Sequence, residues 1–205
     1  MILFVCEGNV CRSALAAAVL QQSLAPESGI IAGSAGTHAL VGQPADPLTA
    51  QVAANHGISL AEHKARQLTP ELLAGADMVV TATRQIRSAA VQAYPPSVKY
   101  AFTLRQLARI LQATESDFDG GDLTGLALVA GLARSVNQEK SKLVAPQGDD
   151  DDIDDPRGRS VRIHEHVGAQ IISAVDELVR AIGGAPVALS PVRGPGWDMP
   201  GTAAG

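Results

Sequence analysis

An α/β fold, with a central parallel four-stranded sheet and helices on both faces, is predicted by three observations. Short apolar runs alternate along the chain with alanine-rich or amphipathic stretches, the pattern of parallel strands joined by crossover helices. The first apolar run ends in a polar, glycine-containing loop, and open α/β sheets bind ligands at the carboxyl ends of their strands. The chain has 205 residues, 46% of them hydrophobic, enough for one sizeable core.

The elements read in order as follows. Ile2–Val5 is a buried strand and Ser13–Leu24 an alanine-rich helix. Gly29–Ala35 is a second strand, and Pro47–His56 a helix that Gly57 ends. Asp77–Ala82 is a third strand, followed by a helix over 84–93 and the Tyr94-Pro95-Pro96 stop. Val98–Phe102 is a fourth strand and Thr103–Gln112 a helix. The segment 114–121 is polar and glycine-broken, and Leu123–Leu143 is helical. Ser160–Ile182 carries apolar residues at Val161, Val167, Ile171, Val175, Leu178 and Ile182, a helical spacing, and Gly183-Gly184 closes it. The domain is read as 1–183 with an insert at about 104–148, which is a lid, a partner surface or, by preference, added bulk. The Gly/Pro/Ala-rich tail 184–205 is read as flexible, with Trp197 a docking point.

The informative string is Val5-Cys6-Glu7-Gly8-Asn9-Val10-Cys11-Arg12-Ser13. A strand delivers Cys6 to a loop that opens a helix. A thiol attacks as its thiolate, which a helix N-terminus and a neighbouring guanidinium both stabilise. Gly8 and Asn9 tolerate the positive φ that turns loop amides inward. Converging amides at a helix start make an anion-binding nest, and Arg12 adds a planar fork for two oxyanion oxygens. Ser13 can cap the helix or donate to the Cys6 sulfur. Taken singly, Cys6 reads as a small buried hydrophobe and Arg12 as a solvated charge. A thiolate metal cage fails because Cys6 and Cys11 are the two cysteines of the sequence. Their proximity makes a reversible Cys6–Cys11 disulfide an expectation.

A nucleophile of this kind needs an acid for the leaving oxygen and then a base for water. Asp155 in Ile153-Asp154-Asp155-Pro156 is the candidate, because Pro156 holds the residue before it in extended backbone. His164-Glu165-His166 is not a metal site, since residues two apart on a helix face different ways. The acidic run 149–155 lacks calcium-loop spacing and reads as a solvated loop beside the acid. Arg84, Arg87, Arg105 and Arg109 read as solvated helix faces. No metal or cofactor is expected. A net charge of −5 argues against broad nucleic-acid or membrane binding. With no signal peptide or spanning helix read in the sequence and both cysteines in one loop, a reducing cytoplasm is the expected location.

The string at 5–13 resembles the phosphate-binding loop of the low-molecular-weight protein tyrosine phosphatases, a likeness that runs through most of 1–102 and resumes at 153–182. The resemblance implies a phosphomonoester hydrolase that acts on a phosphotyrosine protein or aryl phosphate through a phosphocysteine. Cys6, Arg12 and Asp155 would be catalytic, and Glu7, Gly8, Asn9, Val10, Cys11 and Ser13 would form the phosphate loop. It further implies that Asn9 is held by Ser13, Ser34 and His63. Rivals are arsenate reduction with a small-molecule thiol, a protein arginine phosphatase (whose family branch has threonine at the place of Val10), and a phosphopeptide-binding module. His38-Ala39-Leu40 and Arg157-Gly158 stand where the family often has aromatic walls. The residues name neither the physiological substrate nor a partner kinase.

Overall fold

The computed structural model describes residues 1–114, 123–140 and 150–187. Four parallel strands lie in the order β2-β1-β3-β4: β1 Ile2–Cys6, β2 Ala32–Gly36, β3 Met78–Thr81 and β4 Ala101–Thr103. The helices are α1 Arg12–Ser23, α2 Pro47–Asn55, α3 Pro70–Ala74, α4 Arg84–Ala93, α5 Leu104–Ala113, α6 Gly125–Glu139 and α7 Val161–Ala181. Every residue of β1 is buried, as a central parallel strand covered on both faces requires.

Side-chain alternation along the strands divides the core in two. Ile2, Phe4, Met78, Val80 and Phe102 join residues of α1, α5, α6 and α7. Leu3, Val5, Val79 and Ala101 join Leu73, Ile86 and Ala90 from α3 and α4. Helix starts are set by side chains: Asp46, Thr69, Thr83 and Thr103 each accept amide hydrogen bonds at the first turn of α2, α3, α4 and α5. Proline occupies the first position of α2 and α3.

The boundaries depart from the sequence reading in four places. The fourth strand is not Val98–Phe102. Residues Pro95–Lys99 form a 3-10 turn with Val98 at its surface, because the proline pair presets that turn and leaves only Ala101–Thr103 to join the sheet. The second strand starts at Ala32, since Gly29 is spent in left-handed backbone after a 3-10 turn at Pro26–Ser28. α3 went unread, being a single short turn. α6 lies in the proposed insert and buries Val129, Leu132, Ala133 and Val136 in the main core, so this part of the insert extends the hydrophobic core itself.

The start of the supposed flexible tail is also tied down. The Gly184 amide donates to the Val179 carbonyl at 2.8 Å and Ala185 to the Ser23 carbonyl at 3.2 Å. Val187 donates to the buried Asp176 carboxylate at 3.2 Å. Trp197, 115–122 and 141–149 lie outside the described residues.

Candidate active site

β1 ends at Cys6 in the centre of the sheet, between β2 and β3. The loop that follows has its carbonyls engaged outward. Cys6, Glu7, Gly8 and Val10 carbonyls accept from the amides of Thr37, His38, Leu40 and Asp46 at 2.9–3.0 Å. The Asn9 carbonyl meets His63 Nε2 at 2.6 Å. With the carbonyls held on that side, the alternate peptide edges are left for the loop interior. Among the described residues, no acceptor is found for the amides of Gly8, Val10 and Cys11. α1 begins at Arg12 without a side-chain cap, so its first amides add to this unoccupied donor set.

Two donors converge on the sulfur of Cys6. The Asn9 amide lies 3.2 Å from Sγ, and Ser13 Oγ lies 2.9 Å from it. Asn9 Nδ2 donates to the same hydroxyl at 2.9 Å. A thiolate sulfur can only accept, so towards a thiolate the hydroxyl proton goes to the sulfur at 2.9 Å in preference to the Ala35 carbonyl at 3.4 Å. Ser13 is therefore a donor inside the first helical turn, and the alternative capping role does not hold. Hydrogen bonds to a sulfur favour its charged form.

Asn9 is the one described non-glycine residue with positive φ, at 56°. Left-handed backbone costs such a residue on the order of 1–2 kcal/mol. Three contacts hold it there: Nδ2 to Ser13, the Arg66 amide to Oδ1 at 2.8 Å, and His63 to its carbonyl. Ser34 is not a side-chain partner of Asn9. It contributes its carbonyl, which accepts from Arg66 Nε at 2.6 Å. Arg66 thus does the work expected of Ser34, a role carried by a backbone amide that no side-chain pattern reveals. Gly36 is the other unread support. A Cβ there would sit 2.3 Å from the Glu7 carbonyl and 3.0 Å from the Asn9 amide, so the β2 turn can press against the loop only without a side chain.

Arg12 is 5% exposed. Its Nη1 donates to the Ile153 carbonyl at 2.9 Å and its Nη2 lies 2.8 Å from Asp155 Oδ2. Its Nε is buried and has no partner, a donor left open beside the loop. Asp155 keeps 42% of its side chain exposed, and its Oδ1 accepts from the Arg157 amide at 3.2 Å. The sequence candidates Cys6, Arg12 and Asp155 therefore meet in one place, from opposite ends of the chain.

Behind the loop, Cys11 is buried with Val10 and Ala65, and Leu40 packs on them. Burial pushes the Cys11 thiol up to about 12, against the opposing effect of a Thr49 hydrogen bond. Both cysteines are free thiols. Thr49 in turn meets His164 Nδ1 at 3.0 Å. His164 is buried in this contact, whereas His166 is exposed and paired with Gln170 at 3.1 Å.

The acidic run is not solvated throughout: Asp150 and Asp154 are exposed, but its middle is engaged. Asp151 is 4% exposed and pairs with Arg109 at 3.0 Å, and Asp152 accepts the Arg84 amide at 2.7 Å. Nor are the four arginines simply solvated: Arg87 donates to the Ala101 carbonyl at 2.6 Å, and Arg105 reaches the Asp152 carbonyl at 3.4 Å.

The family model for low molecular weight phosphotyrosine protein phosphatases matches residues 1–119. The chain belongs to this family. Its N-terminal part is 51% identical over 79 residues to the probable low molecular weight protein-tyrosine-phosphatase EpsP of Ralstonia nicotianae, covering 38% of this chain and 52% of EpsP. The chain thus spans about half the length of this curated phosphatase relative. Two solved structures of the fold are similar over far more. The tyrosine phosphatase AmsI of Erwinia amylovora is 25% identical, with a TM-score of 0.63, over 88% of this chain and 91% of that one. The YwlE arginine phosphatase of Geobacillus stearothermophilus gives the same identity and TM-score over 89% and 92%. No described helix is long and apolar enough to cross a membrane.

Proposed function

We propose that the chain is a cysteine-dependent phosphomonoester hydrolase that acts on phosphotyrosine in proteins, as the names of its relatives EpsP and AmsI say of those proteins, and that it works in the cytoplasm. One observation supports this above the rest: a sulfur that receives two hydrogen bonds sits beside a buried guanidinium whose Nε lacks an acceptor and whose Nη2 holds a carboxyl group.

In this reading the Cys6 thiolate attacks phosphorus in line with the leaving oxygen. The S–P bond forms as the P–O bond breaks, and Asp155 gives its proton to the departing phenolate. Arg12 Nε and the inward amides carry the charge on the equatorial oxygens. Incoming phosphoryl oxygens compete with Asp155 for Arg12, which frees the carboxyl for proton transfer. In the second half, Asp155 takes a proton from water, water attacks phosphorus, and the thiolate and inorganic phosphate are released. Ser13 and Asn9 stabilise the sulfur as leaving group. Val10 carries no hydroxyl and packs in an apolar cluster with Cys11, which supports the aryl ester over phosphoarginine.

The test compares an aryl phosphate, a phosphoarginine compound and arsenate supplied with glutathione. Aryl phosphate turnover is expected, with Cys6→Ser inactive and Asp155→Asn reduced about 10²–10⁴-fold on phenyl phosphate, whose poor leaving group needs the proton, the usual scale of general acid–base help. Preference for phosphoarginine, or arsenate reduction without ester hydrolysis, overturns the reading.

A further inference from the structure

The acid loop is fixed to the body of the protein at points that the reaction itself does not use. Counting outward from Asp155, the Ile153 amide donates to the Ala82 carbonyl at the end of β3 at 2.9 Å, and its carbonyl accepts from Arg12. Asp152 Oδ1 accepts the first amide of α4, Arg84, at 2.7 Å, and lies 3.5 Å from the Arg84 Nε. Its carbonyl faces Arg105 of α5. Asp151 turns its carboxylate into the protein, where only 6% of the side chain is exposed, and meets Arg109 one helical turn further along α5. A buried carboxylate is stable only while its partner is present. These contacts act on the five-residue segment Asp151–Asp155, whose last carboxyl keeps 42% of its side chain exposed.

We propose that Asp151 and Asp152 are a latch that sets the position of the Asp155 carboxyl, with Arg109 and the N-terminus of α4 as its anchors. The proposal rests on the phosphatase reading and deepens it. The two aspartates do not touch the phosphoryl group, and their part is to place the acid within proton-transfer reach of the leaving oxygen. A misplacement of about 1 Å can cost about 10²-fold in rate, and here the loss falls on one step alone. A poor leaving group such as phenolate needs its proton as the P–O bond breaks. A good one such as p-nitrophenolate departs almost as well without it. The latch therefore matters for phenyl phosphate and hardly for p-nitrophenyl phosphate. A residue that merely stabilised the fold would affect both alike.

The experiment measures kcat/KM, which reports all steps through P–O cleavage, for both esters with wild type, Asp155→Asn, Arg109→Met, Arg109→Lys and Asp152→Ala. Thermal melts accompany each variant, and Asp152→Ala carries the test if Arg109→Met does not fold. Expected are losses of about 10–10²-fold on phenyl phosphate and under about threefold on p-nitrophenyl phosphate for Arg109→Met and Asp152→Ala, with partial recovery in Arg109→Lys. Combined with Asp155→Asn, Arg109→Met should add nothing further. Equal losses on both esters, or full additivity with Asp155→Asn, overturn the latch while leaving the phosphatase reading intact. A wild type that hydrolyses neither ester removes the phosphatase reading and the latch with it.

Discussion

The loop at 6–13 and the loop at 151–155 serve one site but are built by opposite means. The first is fixed mainly through backbone groups: its outward carbonyls meet amides between Thr37 and Asp46, the left-handed Asn9 takes the Arg66 amide, and the neighbouring strand turn closes on it without a side chain. The second has no regular structure and is held largely through its own aspartate side chains and through guanidinium groups: Asp152 takes the first amide of α4, Asp151 meets Arg109 of α5, and Ile153 lies between the Ala82 carbonyl and Arg12. Rigidity through the backbone serves a group that must bind charge in a single arrangement. Rigidity by distant anchors leaves the Asp155 carboxyl itself exposed, as suits a group that changes partners during turnover.

Gly36→Ala is the strongest challenge to the first loop. Its Cβ collides with the Glu7 carbonyl, so about 1–3 kcal/mol of stability and about 10²-fold of kcat/KM should be lost, measured by melts and steady-state assay. Phenyl and p-nitrophenyl phosphate should suffer equally, in contrast to substitutions in the latch. A leaving-group dependence after Gly36→Ala would erase the distinction between the two loops.

Reactivity of the two thiols sharpens the picture within the first loop. With its thiol at about 12 because of burial, Cys11 keeps its proton throughout the neutral range and gains thiolate only as pH approaches that value. Iodoacetamide at pH 8 should give one adduct by mass spectrometry, on Cys6, with a second appearing only after denaturation. Labelling of folded Cys11 at pH 8 would show a thiol reactive enough for the reversible Cys6–Cys11 disulfide that the loop spacing invites.

The smallest effect belongs outside both loops. Burial pushes the pKa of the Asp176 carboxyl up, with the Val187 amide opposing that shift. Its folded value lies above its unfolded one, so its ionisation weakens the fold as pH climbs past about 4. Asp176→Asn keeps an acceptor for Val187 and removes that penalty. Its Tm should rise by about 1–3 °C at pH 7 and stay level near pH 4, as read by scanning calorimetry.

The same contrast explains what could be read from the sequence. Strand, loop and helix at 2–24 are local, and Cys6, Asn9, Arg12 and Ser13 fall close together because eight residues can hold them so. Asp155 was findable because proline restricts its backbone. Arg66, Gly36, Asp151 and Asp152 were not, because their roles lie in where a peptide edge or a carboxylate arrives after folding. An acidic run looks solvated in a sequence until two arginines of another helix are known to face it. The family resemblance implies a side-chain bond from Ser34 to Asn9, which the Arg66 backbone amide makes instead. The β4 boundary failed for a local reason, a proline pair that turns the chain where a branched residue had looked like strand.

The hydrogen bond from Arg12 to the Ile153 carbonyl joins positions 141 residues apart. During synthesis the ribosome therefore emits the sulfur loop long before its guanidinium has anything to rest on. The site is therefore completed late and all at once, when the segment around Ile153 docks, so a nascent polypeptide would carry the thiol long before the guanidinium is seated.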